Sequence, residues 1–90
     1  MKSEIIARKE CILPEEKHRL IYMLLRRSYR GRPLYSLSVS ELGTSKESFV
    51  LLPDLTDEHR EAMHLFSLFA KETVTPCTAE DVLVELLYEG

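Results

Sequence analysis

Six residues constrain this chain more than any others. In Tyr35-Ser36-Leu37-Ser38-Val39-Ser40 an apolar side chain alternates with serine at every step. A period of two puts Tyr35, Leu37 and Val39 on one face of an extended strand and the three hydroxyls on the other, whereas a helix would scatter both sets around its circumference. A strand needs a neighbour. Just upstream, Tyr29-Arg30-Gly31-Arg32-Pro33 reads as a turn, because Gly31 supplies backbone freedom and Pro33 cannot donate to an interior ladder. Before it stands Leu20-Ile21-Tyr22-Met23-Leu24-Leu25-Arg26-Arg27. A run that is apolar on both faces fits a central strand, and the two segments then form a β-hairpin with Arg30-Gly31-Arg32 at its tip.

That upstream segment has a helical alternative. Pro14-Glu15-Glu16-Lys17 is a good helix start, with proline early and acids in the first turn. Leu20, Met23, Leu24 and Arg27 also fall at helical spacing, and Leu, Met and Arg are helix formers. Local propensity leaves residues 14–28 open between helix and strand, and the need of residues 35–40 for a partner favours the hairpin.

Ser3 to Ile12 reads as a further strand. Gly43-Thr44-Ser45-Lys46 is a turn, and Ser48-Phe49-Val50-Leu51-Leu52 is a short β-rich segment that Pro53 should end. Asp54 or Thr56 is expected to cap a helix from about Asp57 to Glu72, with Asp57 and Glu58 in its first turn and Ala62, Met63, Phe66, Phe69 and Ala70 as its apolar stripe. Thr73-Val74-Thr75-Pro76 breaks it. The last helix is the cleanest amphipath, with Ala79, Val82, Leu83, Leu86 and Leu87 on one face. Its cap is Thr75 before Pro76, or Thr78 with Asp81 three residues on. The expected fold is α+β. An antiparallel meander of three to four strands covers about residues 3–52, and two helices, over about 56–72 and 76–89, pack on one of its faces.

At 90 residues a single domain is expected, since a second core would not fit. With 44% hydrophobic and 30% charged residues the chain is not of the disordered or low-complexity kind. The longest apolar run, Leu20 to Leu25, is far short of the ~20 residues of a membrane span. Met1-Lys2-Ser3-Glu4 opens no apolar core of signal-peptide length, and with only Cys11 and Cys77 the expectation is a cytoplasmic protein with both thiols free.

The net charge of −3 conceals a segregation. Residues 17–40 carry Lys17, Arg19, Arg26, Arg27, Arg30 and Arg32 and no acid, whereas residues 41–90 carry three bases and eleven acids. Such a layout indicates an anionic partner for the basic part, two parts that face each other in the fold, or two parts that simply surround a shared core.

Little in the sequence points to chemistry. His59 and His64 are five apart, about 140° around a helix, and not at the four-residue spacing of a helical zinc pair. His18 stands apart from both. Cys77 could have its thiolate favoured by the dipole of the last helix, but no base partners it in the sequence. Glu58 with Glu61, and Glu80 with Asp81, have a sufficient structural reason in the helix dipole. Gly31, Gly43 and Gly90 are isolated and form no phosphate loop. No catalytic residue, metal or cofactor is expected, and no small-molecule substrate is implied.

From Leu20 onward the order of features resembles the domain of unknown function 6514 family, small proteins mainly of Firmicutes. The residues that carry the likeness are Tyr35-Ser36-Leu37-Ser38-Val39, Asp54-Leu55-Thr56-Asp57, Thr75-Pro76-Cys77-Thr78-Ala79 and Asp81-Val82-Leu83-Val84-Glu85-Leu86-Leu87. The family's His-Leu before the last helix is Thr78-Ala79 here, and its strand glycine is Ser36. The resemblance implies the hairpin, a bacterial cytoplasmic origin and no established activity.

Two surfaces are left as candidates. The sheet face opposite the helices should carry Ser36, Ser38 and Ser40 with one half of the Leu20–Leu25 run, either Ile21, Met23 and Leu25 or their alternates. If that half is apolar and uncovered, a second copy or another protein is the expected partner. The alternative is nucleic acid, gripped by Arg26, Arg27, Arg30 and Arg32 with Tyr29 and Tyr35 between them. On a strand Arg26 and Arg30 would share one face and Arg27 would lie with Tyr29 on the other, which divides the charge. The isoelectric point of about 5.6 is also low for such a binder.

Overall fold

A computed structural model of the chain describes residues 3–13, 18–43 and 47–89, the last three of these without their side chains. The order of elements is β1 (Glu4–Leu13), β2 (His18–Tyr29), β3 (Arg32–Leu42), β4 (Glu47–Thr56), α1 (His59–Lys71) and α2 (Ala79–Glu89). The strands form one four-stranded sheet in the order β1-β2-β3-β4, antiparallel throughout. The expected α+β fold is therefore present, with all four strands formed. The turn at Thr44-Ser45-Lys46, the helix start at Pro14-Glu15-Glu16-Lys17 and the side chain of Leu87 lie outside the described residues.

The choice between helix and strand falls to strand from His18 to Tyr29. Its helix-forming residues are overruled by position: β2 is flanked by β1 and β3, so every backbone group of the run has a ladder partner to turn to, and both faces can take apolar side chains. Register shows how the two faces divide. Tyr22 lies opposite Val39 and Leu24 opposite Leu37, while Met23 lies opposite Ser38 and Leu25 opposite Ser36. Directly opposed side chains point to the same side. One side of the sheet thus carries Leu20, Tyr22, Leu24, Leu37, Val39 and Leu52, all buried. The other carries Ile21, Met23, Leu25 and the serines.

The hairpin turns on two residues, Arg30 (φ 51°) and Gly31 (φ 77°), closed by Tyr29 opposite Arg32. Positive φ at both centres is the type I′ signature, whose twist matches the flanking strands. Pro33 is tolerated inside β3 because β4 begins to pair only at Tyr35, so the sheet is locally open on that side.

Three boundaries differ from expectation. Pro53 does not end β4, which runs on to Thr56. Three residues, 53–55, oppose Ser36 alone, since Tyr35 pairs with Thr56 and Leu37 with Leu52. The missing N–H of Pro53 is absorbed in this bulge. The next residue, Asp54, takes φ 50° and its N–H donates to Ser36 Oγ at 3.0 Å. Second, α1 starts at His59, and its cap residue, Glu58, makes no side-chain capping bond. Neither Asp54 nor Thr56 caps the helix: Asp54 is drawn to an arginine described below, and Thr56 Oγ1 accepts from the N–H of Glu58, one residue too early. Third, α2 begins at Ala79 and not near Pro76. Thr78 holds the cap position, with Val82 N–H donating to its carbonyl at 2.9 Å. Its hydroxyl turns back to Thr75 instead of forward to Asp81.

The end of α1 ties the layers together. Val74 N–H bonds Phe69 O at 3.1 Å and Thr73 N–H bonds Ala70 O at 3.3 Å, with Thr73 at φ 48°. This is the two-bond helix stop that usually places glycine where Thr73 stands. It presents Val74 to the core, and the Tyr22 hydroxyl donates to Val74 O at 2.8 Å. Cys11 reaches the carbonyl of Ala70 at 3.9 Å. Ala62, Phe66, Phe69 and Ala70 of α1, with Ala79, Val82, Leu83 and Leu86 of α2, join the sheet residues in one contiguous cluster. Both helices therefore serve the same side of the sheet.

Candidate interaction face and basic hairpin

The side of the sheet without helices is apolar. Reading across the strands by register, the levels are Ile12, Arg19, Leu42 and Glu47; then Glu10, Ile21, Ser40 and Phe49; then Arg8, Met23, Ser38 and Leu51. Ile5, Leu25 and Ser36 follow, and Arg27 with Leu34 close the far end. Ile12 is 65% exposed, Phe49 63% and Ile5 60%. Ile21, Met23 and Leu25 are half-buried by their neighbours. Of the two alternates left open by the sequence, Ile21, Met23 and Leu25 are the ones that face away from the helices.

The serines of β3 give this face its shape. Ser38 is only 1% exposed although no helix covers it. A serine is too short to reach past Met23 and Leu51, which stand on either side at its own level, so the larger residues close over it. Ser36 Oγ accepts the bulge N–H of Asp54, whereas Ser38 Oγ has no hydrogen-bond partner.

Charges on this face stand in pairs. Glu10 bridges Arg8 at 3.3 Å and Arg19 at 3.2 Å. Arg27 donates through Nε and Nη2 to the two carboxylate oxygens of Asp54, at 2.9 and 2.6 Å. This fork holds the Asp54 carboxyl below its ordinary range, through the hydrogen bond first and the guanidinium charge after it, and raises Arg27 in the same way. On the covered side, burial pushes the Tyr22 phenol well above its ordinary value, assisted by the Cys11 and Glu41 charges.

The basic hairpin is brought together only in part. Arg27 is engaged with Asp54, and Arg32 lies 4.0 Å from Asp57. His18 Nδ1 lies 2.9 Å from Glu41. These pairs join the basic segment to the acidic one, so part of the charge segregation is met within the fold. The expected pairing of Arg26 with Arg30 on one face fails, because Arg30 belongs to the turn. Its guanidinium sits 5.4 Å from the centre of the Tyr29 ring, as does that of Arg27. Arg26 is opposite Tyr35, on the helix side, and exposed. Tyr35 itself is buried and stacks edge-on against His59 at 5.8 Å, unavailable to a base.

The remaining candidates separate in space. Cys11 is half-buried under α1, Cys77 is exposed ahead of α2, and both are free. Among the described residues no three His, Cys, Asp or Glu side chains gather into a metal site. A groove of about 420 Å³ between the helices is floored by Leu68, Val74, Val82 and Leu86, with Glu72 and Glu85 at its rim. No helix among the described residues is long and apolar enough to cross a membrane.

The open face could have been found from the sequence by one further signal. In β4, Phe49 and Leu51 alternate with Val50 and Leu52, which the core takes, whereas Ile5 and Ile12, seven residues apart, share the face only through the register shift between Ile5 and Ala7. A four-stranded antiparallel meander with both helices on one side defines the class. Residues 1–89 match the model of the Family of unknown function (DUF6514), and the chain belongs to that family. No curated protein and no solved structure matches it.

Proposed function

We propose that the chain is a non-catalytic interaction module that binds a folded protein surface through the uncovered face of its sheet. The observation that carries this reading is the presence of Ile5, Ile12, Phe49 and Leu51, all exposed, on the same side as Ile21, Met23 and Leu25. Scattered surface hydrophobes need no explanation, but seven on one sheet face form a patch of the kind that marks a binding surface. A photoreactive phenylalanine analogue at position 49 is expected to cross-link to protein in cells. The same analogue in place of His64, exposed on α1, is the control. Equal yields from both positions, or none from position 49, would contradict the reading.

A second reading, nucleic-acid binding through the hairpin, is supported by Arg30 and Arg32 at an exposed tip and by Arg30 held at φ 51°, a conformation that Asn or Gly adopts more cheaply. It predicts binding of short RNA or DNA that weakens steeply with salt and that Arg30→Gln reduces. Binding indifferent to salt would remove it.

A further inference from the structure

Resting on the proposed use of the open face, we infer that its partner is a second copy of this chain, docked sheet face to sheet face about a two-fold axis.

Three observations lead there. The first concerns the edges, which offer the other route by which sheets join. Both are blunted. The β1 edge has a register shift between Ile5 and Ala7 and the charged run Arg8-Lys9-Glu10, and the β4 edge carries Pro53 and the bulge at Asp54. Bulges, charges and proline on edge strands are the devices that prevent strand-to-strand joining. With the edges blunted, the face is where exposed large apolar residues gather, Ile5, Ile12, Phe49 and Leu51 among them.

The second is charge. From Arg19 to Arg27 the face bears three bases, Arg8, Arg19 and Arg27, and three acids, Glu10, Glu47 and Asp54, while Arg32 at its hairpin end lies 4.0 Å from Asp57. Five of these six are already engaged with one another. A neutral, internally paired surface demands no opposite charge from its partner and does not repel its own copy.

The third is area. Four strands about 4.8 Å apart and about ten residues long at roughly 3.3 Å each span about 600 Å². Two copies would bury about 1,200 Å², the lower bound of a stable, specific interface. At the centre of the face Ser38 is 1% exposed between Met23 and Leu51, and sheet faces stack at about 10 Å with their side chains interleaved.

The test is the mass in solution of the purified full chain, by light scattering during size exclusion from micromolar to millimolar concentration. The expected result is a species of twice 10.4 kDa. Phe49→Lys, at a side chain 63% exposed and so dispensable to the fold, is expected to weaken the dimer at least tenfold and leave the circular dichroism spectrum unchanged. Leu51→Lys is the second variant, should the first perturb folding. A monomer throughout overturns the second-copy inference while leaving the interaction module to the cross-linking result, where a product of foreign mass would sustain it. A dimer indifferent to both variants overturns the inference and the use of the face together.

Discussion

Leu24 and Met23 are neighbours in β2, similar in size and both apolar, yet they live on opposite sides of one sheet. Leu24 is 2% exposed beneath the helices. Met23 looks the other way, between Arg8 of the edge strand β1 and the buried Ser38 of β3. The covered side contains one contiguous cluster and a tyrosine hydrogen bond that ties sheet to helix. The open side also carries large apolar residues, seven of them named above, but no layer of the described residues lies over them. The difference shows that hydrophobicity of a segment does not say which side holds the fold together. Cover does.

Mutation of these two neighbours is the sharpest way to break the comparison. Leu24→Ala should cost about 2–5 kcal/mol, the range for emptying a packed core site. Met23→Ala should cost less, about 1 kcal/mol in a monomeric preparation, since its side chain is only partly buried and no helix lies over it. Urea unfolding at low protein concentration checks both, and equal costs would mean that the two sides are equally structural.

The next effect belongs to Tyr22. Removal of its hydroxyl in Tyr22→Phe leaves Val74 O unpaired and should cost about 1–2 kcal/mol. The same residue sets an alkaline limit. Its folded pKa lies above the unfolded value of about 10, so its contribution is complete below pH 10 and is lost as pH rises from there toward the folded value. Stability measured from pH 9 to 11 should fall for the native chain and fall less for Tyr22→Phe. On the open side the sign reverses. Asp54 has a lowered pKa, so its bond to Arg27 contributes above pH of about 4 and is lost as pH drops through the folded value. The smallest effect is Ser38→Ala, within about 0.5 kcal/mol of neutral, because the hydroxyl it removes has no partner to lose. A large cost there would show that Ser38 Oγ is paired in solution.

Much of this was legible in the sequence, and the failures have causes. The alternation from Tyr35 to Ser40 placed β3 and its two faces correctly because period two is a direct geometric consequence of the pleat. The amphipathic stripes of α1 and α2 were legible for the same reason at period 3.6. Residues 14–28 were ambiguous, since a run apolar on both sides has no period to read, and only the flanking strands decide it. Pro53 and the caps misled because each rule is local. A bulge can absorb a proline, and Asp54, which a capping rule assigns forward to α1, is taken backward across the sheet by Arg27, at 27 residues' separation. Arg30 was misplaced because turn residues leave the strand's alternation. The open face was legible as a question, through Ile21, Met23 and Leu25. Of its edge members, Phe49 and Leu51 follow from the alternation in β4, and Ile5 and Ile12 needed the register.

The central proposal is that the open side of the sheet is covered by a second copy of this chain. Methyl NMR with a soluble paramagnetic probe measures it most directly, residue by residue, as the chain is concentrated. The account predicts that the methyls of Ile12, Met23, Leu25 and Leu51 lose their relaxation enhancement with rising concentration, while Val84, exposed on α2, keeps its own. Uniform enhancement at every concentration, or protection that begins at Val84, would contradict it.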